Sequence, residues 1–304
     1  MGQKKSDFWY HVAAFVMIVV WGVSFLNTRV LLDAGLTPTQ IFVARFAIAY
    51  LSLLVISRFK VRFTGWRDEL LFIVCGVAGG SAYFIAENTA LELTLISDVA
   101  VLVSIAPLTT ALIGAMFYRE ERITLLTCVG MIIAFIGSAM LALKDGFVWG
   151  DSVVGDLLAM LAALVWAFYP MALKKLNSRY TTLFITRKLF FYGVLSALPL
   201  LALEDHQLDW NAVRRPEVWG NLLYLGLICS MAAYFIWGIT VKRIGAVRAS
   251  NYFYLSPIIS MIAAAIWFGE RTNAVAYIGC VLILAGVIMA EKFKRKPDAI
   301  EEGS

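Results

Sequence analysis

Ten apolar runs of about 20 residues divide this chain, and no other feature narrows its fold so far. They lie near Val12–Leu32, Pro38–Ser57, Glu69–Leu91, Asp98–Tyr118, Thr124–Leu143, Val154–Leu173, Thr182–Leu203, Trp219–Thr240, Val247–Phe268 and Ala274–Ala290. About 20 residues at 1.5 Å each span the ~30 Å hydrocarbon core of a bilayer. Lipid offers no partner to a backbone N–H or C=O, so a crossing segment must satisfy them internally. The runs lack the two-residue alternation of barrel strands and are too long for them, which leaves helices. Composition agrees, with 61% of residues apolar and 15% charged, against about 45–50% and about 25% in soluble domains. A soluble enzyme and a disordered chain are both excluded. The expected fold class is an all-α membrane protein with ten transmembrane helices.

Orientation follows from the basic residues. Of 26 Lys and Arg, 18 fall in the N-terminal segment, the even-numbered loops and the tail. Only Lys144, Arg214, Arg215 and Arg271 fall on the other side, and Arg29, Arg45, Arg187 and Lys188 lie within the spans. Cytoplasmic loops carry such an excess, so both termini are expected in the cytoplasm. The same rule accounts for the net charge of +5 without invoking nucleic acid. The first run follows Lys4 and Lys5, but it is too long for a signal-peptide core and is read as a retained helix. Short loops and no targeting peptide point to a bacterial inner membrane. Cys75, Cys128, Cys229 and Cys280 all lie in apolar runs without CxxC spacing, and with only two histidines no metal or cofactor site is expected.

The chain contains itself twice. Twelve residues separate Pro107 from Glu120, and Gly130 and Gly137 follow. Twelve separate Pro257 from Glu270, and Gly279 and Gly286 follow. Ala82-Tyr83-Phe84 matches Ala233-Tyr234-Phe235, Val20-Trp21-Gly22 is close to Val165-Trp166-Ala167, and Arg45 matches Arg187. Five matches in order mean duplication. The expected halves, 1–148 and 149–304, hold five runs each. Five is odd, so the second half enters the membrane from the opposite face, giving two inverted five-helix repeats. Such halves can exchange conformations and expose a central site alternately to each side.

With Trp21-Gly22 in the first helix, the two Pro–Glu–Gly–Gly blocks and ten spans, the chain resembles the drug/metabolite transporter superfamily, and within it the EamA-type ten-helix transporters. The resemblance covers roughly residues 10–292. It implies transport of small metabolites, often export of amino acids or related compounds, without ATP hydrolysis or a cofactor. Import of a choline-like or sugar metabolite on the same scaffold stays open. A membrane-embedded transferase would need a positioned acid/base or metal set, and the spans contain none.

Polar residues inside spans are the first site candidates, because each costs about 2.5–3.5 kcal/mol at a helix centre. Arg45, Glu87 and Asn88 share the outer third of the bilayer, where Arg45 and Glu87 are at the same depth for an ion pair that gates or binds a charged substrate. Glu87 is also the candidate for a coupling proton. Arg187 and Lys188 either act with them or reach toward cytoplasmic headgroups. Gly76, Gly80, Tyr83 and Glu87 form one stripe of the third helix, and Gly226, Ser230, Ala233 and Trp237 form another on the eighth. Trp21 and Trp166 fall at mid-span, away from the interfaces. With Tyr83, Tyr169, Tyr234 and Trp237 they are candidate walls of a substrate pocket, suited to apolar groups and cations. Pro107 and Pro257 are expected mid-helix as symmetric kinks, and Asn251 as a cavity contact. Glu120 and Glu270 are read as structural, at helix starts. Gly130/Gly137 and Gly279/Gly286 suit close packing, making the fifth and tenth helices a scaffold or a homodimer surface.

Overall fold

The apolar runs form helices, and several of them are interrupted near a glycine or a proline. The computed structural model describes residues 2–57, 63–94, 96–117, 124–142, 153–204, 213–268 and 273–292, and all regular structure among them is helical. Expectations for Arg58, Lys60, Arg62, Arg119, Glu120, Arg122, Lys144, Glu270, Arg271, the tail cations and the junction between residues 148 and 149 lie outside the described residues. The first five spans are α1 (Gly2–Asp33), α2 (Pro38–Ile56), α3 (Trp66–Leu93), α4 (Ile96–Val103 and Ala106–Phe117) and α5 (Leu125–Ala142). The second five are α6 (Val153–Asn177), α7 (Thr182–Leu203), α8 (Pro216–Ile244), α9 (Ala246–Asn251, Tyr252–Leu255 and Ser256–Phe268) and α10 (Ala274–Lys292). Large apolar side chains such as Leu51, Met116, Leu161, Ile266 and Val281 cover the outside and face lipid.

The interruptions are duplicated. In α3 a wide-turned stretch, Val77–Ser81, is kinked at Gly80, whose backbone leaves the helical region (φ −138°, ψ −106°), and ends at Ala82. In α8 another, Tyr224–Ala232, ends at Ala233. Both therefore stop where the Ala-Tyr-Phe triplet begins. In α4 the helix halts at Ser104–Ile105 and restarts at Ala106, with Pro107 in its new first turn. In α9 a 3-10 turn, Tyr252–Leu255, precedes a restart at Ser256 and Pro257. Neither proline can donate a hydrogen bond, and in a first turn none is required. The prolines thus start new helical segments, where the sequence suggested kinks inside continuous ones.

Packing repeats in the same way. Helix α2 lies on α8 as α7 lies on α3, α1 touches α8 and α9 as α6 touches α3 and α4, and α5 pairs with α10. Exchanging the halves leaves this pattern unchanged, and with five crossings per half the repeats are inverted. A β-carbon on Gly286 would sit 2.5 Å from the Ala134 nitrogen and the Gly130 oxygen, and one on Gly137 2.6 Å from the Gly279 oxygen. The small faces of α5 and α10 therefore pack against each other within one chain. All four cysteines are free.

Candidate functional site: an aromatic chamber

The repeat-related residues Trp21 and Trp166 meet where the halves join. Their rings lie 5.8 Å apart at 82°. Trp21 stacks on Phe253 from the 3-10 turn of α9 (5.7 Å, 16°) and meets Tyr234 and Trp237 edge-on at 5.7 and 5.2 Å. Trp166 meets Tyr83 at 4.9 Å and Tyr169 at 5.0 Å. All six aromatic candidates thus converge, from α1, α3, α6 and α8. The Trp21 indole N–H donates to the Cys229 carbonyl in the π stretch of α8 (2.8 Å), which fixes the ring.

The two triplet tyrosines do different work. Tyr83 donates its hydroxyl to the Glu87 carboxylate one turn away. Tyr234, its mate, donates to the Gly79 carbonyl in the kinked stretch of α3. A β-carbon on Gly79 would lie 2.6 Å from the Tyr169 ring, so only glycine lets that ring approach.

The rings enclose a cavity of ≈ 20 Å³ lined by Trp21, Tyr83, Phe84, Glu87, Trp166 and Phe253, with Ser24 and Ser256 at its edge. That is room for about one water. The Trp166 and Trp237 indole nitrogens are buried without hydrogen-bond partners.

Arg45 and Glu87 do not form the expected ion pair. The Arg45 guanidinium lies 4.2 Å over the Phe84 ring, and Tyr83, bonded to Glu87, packs on the same ring at 4.8 Å. Arg45 instead donates from Nε to the Ser230 hydroxyl (3.0 Å), and its Nη2 has no partner. Asn88 lies outside the chamber, donating to the Pro38 carbonyl (3.1 Å) and tying α3 to the start of α2. Asn251 is buried with both side-chain polar atoms unpartnered, but it does not line the cavity.

The sequence matches the EamA-like transporter family twice, over residues 8–143 and 153–291. The chain belongs to this family. It is similar to a protein named "Probable terminal-alkyne amino-acid exporter" from Streptantibioticus cattleyicolor, with 30% identity over 284 residues covering 92% of each chain. It is also similar to an uncharacterized transporter of Archaeoglobus fulgidus, with 28% identity over 89% of this chain and 94% of that one. A solved crystal structure shares the fold, with a TM-score of 0.72 over 94% of this chain and 96% of that one at 18% identity. This EamA-like chain is thus an integral membrane transporter of small molecules.

A second polar centre escaped the sequence. Glu69, buried near the start of α3, accepts Lys188 of α7 on both oxygens (2.6 and 2.9 Å), the Tyr192 hydroxyl, and the Thr64 backbone and side chain (2.9 and 3.0 Å). Lys188 therefore does not reach for headgroups. Its neighbour Arg187 donates to the Ser57 hydroxyl at 2.7 Å. Beside them Asp68 accepts Arg179 and the Tyr180 hydroxyl, and that bond to a carboxylate raises the Tyr180 phenol above its ordinary range. These contacts join the halves at the end that carries the basic loops. By the registers that relate Glu87 to Gly238 and Arg45 to Arg187, the mates of Glu69 and Lys188 are Gly220 and Phe46, which cannot pair. At the opposite end a cleft of ≈ 480 Å³ opens instead, lined by Thr37, Thr39, Thr89, Glu92 and Glu204 among others.

Proposed function

We propose that the chain is a secondary transporter that exports amino acids or related small metabolites across the cytoplasmic membrane of a bacterium by alternating access. Its halves, 1–148 and 149–304, exchange conformations around the aromatic chamber, with both termini cytoplasmic. The observation that carries this reading is the meeting of repeat-related Trp21 and Trp166 over a cavity holding the Glu87 carboxylate. A site placed on the axis between inverted halves is the one place that both conformations can share. The unequal ends support it: one is held by the Glu69–Lys188 pair, the other has a cleft. The name of the relative from Streptantibioticus cattleyicolor supports an amino-acid cargo. A proton taken up at Glu87 provides the drive.

The test is counterflow in liposomes containing purified protein, with labelled leucine and phenylalanine outside and unlabelled amino acid inside. Uptake that Trp166→Ala abolishes while the protein stays folded supports the reading. Equal uptake by both proteins removes the chamber from the mechanism.

A further inference from the structure

Among the described residues, six of the eleven buried side-chain polar atoms without a hydrogen-bond partner lie in one neighbourhood. They are the Thr110 hydroxyl of α4, the Asn177 Oδ1 of α6 and, from α9, the Ser250 and Tyr254 hydroxyls and both polar atoms of Asn251. None of these residues is more than 4% exposed. The first segment of α9 packs on the second segment of α4, on the end of α6 and on the end of α8, all toward the basic loops. Asn177 donates to the Gly238 carbonyl (3.2 Å), beside Trp237, and so borders the aromatic rings. Phe253, next to Tyr254, meets Trp21, Trp166 and Trp237 at 5.7, 5.4 and 5.4 Å. A buried polar atom without a partner is costly, and an apolar side chain of like size avoids that cost.

The cavity above is lined from α1, α3, α4 and α9, with Trp166 of α6. Exchange of the halves turns α1, α3, α4 and α9 into α6, α8, α9 and α4, the four elements that meet around the unpartnered groups. The groups themselves are not duplicated. By the register of Pro107 and Pro257, the mates of Ser250 and Asn251 are Ala100 and Val101. Those of Tyr254 and Thr110 are Ser104 and Ser260, which donate to the Val101 and Gly22 carbonyls.

We propose that Thr110, Ser250, Asn251 and Tyr254 line a second site, on the basic-loop side of the rings, that opens when the halves exchange conformations and binds water and the uncharged polar groups of the passing solute. This rests on the transport reading above and deepens it. The set is neutral: each hydroxyl donates and accepts, and the carboxamide offers two donors and an acceptor oxygen. It matches a hydroxyl or a carboxamide, and its own groups supply no counter-charge to an ion. Asn251 thus meets the solute in the exchanged conformation, although it does not line the cavity here.

The experiment uses purified full-length protein. A water-soluble maleimide is added in detergent to Ser250→Cys with and without Lys188→Met, which removes the pair joining the halves at this end. The introduced thiol is expected to react, and to react at least about tenfold faster in the double variant, as local opening becomes more frequent. A thiol introduced by Ser138→Cys, fully buried on α5 outside the four elements, is expected to stay unreacted in both backgrounds. In a second arm, Tyr254→Phe and Asn251→Leu each remove unpartnered groups, so the melting temperature is expected to hold or rise. Leucine counterflow by Asn251→Leu is expected to slow about tenfold, the equivalent of one lost hydrogen bond.

An introduced thiol that stays unreacted in both Ser250→Cys proteins overturns the proposal. So does a melting temperature that falls in both Tyr254→Phe and Asn251→Leu, which makes these groups static ones bonded to buried water. If Trp166→Ala still abolishes counterflow in either case, the transport reading survives. Absence of both labelling and counterflow removes both. Labelling without leucine counterflow keeps the site and removes leucine as cargo.

Discussion

Lys188→Met tests whether the Glu69–Lys188 pair holds one end of the transporter shut. The substitution keeps the side chain's length and removes its charge. Glu69 then loses its two bonds to the ammonium and keeps those from Tyr192 and Thr64. Breaking a buried pair by removing one partner costs about 3–5 kcal/mol. The low end, about 3 kcal/mol, applies here, because three donors remain and the pair sits within a turn of the start of α3. Since the bond runs between α3 and α7, the loss falls on the conformation closed at that end. The opening equilibrium rises by roughly a hundredfold. Cys75, fully buried on α3 beyond Glu69, reports the change. Its modification by a membrane-impermeant maleimide, read by peptide mass mapping, is expected to accelerate by about that factor. The double variant Glu69→Gln/Lys188→Met has no stranded carboxylate and should return to within about 1 kcal/mol of wild type. Wild-type labelling of Lys188→Met, or a double variant as fast as the single one, would refute the latch.

Other outcomes follow from contacts already described. Gly286→Ala forces a methyl against backbone atoms of α5 and should cost at least the ~1–3 kcal/mol of overpacking, seen as a lower melting temperature in detergent. An unchanged melting temperature would mean α5 and α10 separate freely. Arg179→Gln should change stability by less than about 1 kcal/mol, because the Arg179 side chain is 49% exposed. A larger loss would give this outer pair a share in the latch. Glu87→Gln should keep counterflow at saturating amino acid but lose acceleration by an imposed pH gradient. Continued response to the gradient would place the coupling proton elsewhere.

Much of this was legible in the chain because membrane insertion forces a long, simple signal. The ten spans, the inverted halves and the family are confirmed, and Trp21, Tyr83, Trp166, Tyr169, Tyr234 and Trp237 come together, although of these only Trp21, Tyr83 and Trp166 line the cavity. What escaped depended on facts that a linear pattern does not carry. Glu69 sat at the edge of its apolar run and resembled a helix-start carboxylate, since its partner lies 119 residues away across an interface. A mid-span Lys188 with no acid on its own helix was the available signal. Depth placed Arg45 beside Glu87 but could not show that the guanidinium lies over Phe84 and bonds Ser230. The π stretches left only the adjacent Gly79-Gly80 as a trace, because a π turn has no residue signature as strong as a proline break.

Those two wide turns have a mechanical consequence. A π stretch is an α-helix holding surplus residues, and it can pass them along the helix like a ruck moving through a carpet. Each residue handed across rotates by about 100° about the axis, since 3.6 residues complete a circle. Tyr83 lies two residues beyond the kinked stretch of α3, and Tyr234 lies two residues beyond the π stretch of α8. A shift of a single step would therefore swing either ring out of the centre while the ends of its helix remain anchored.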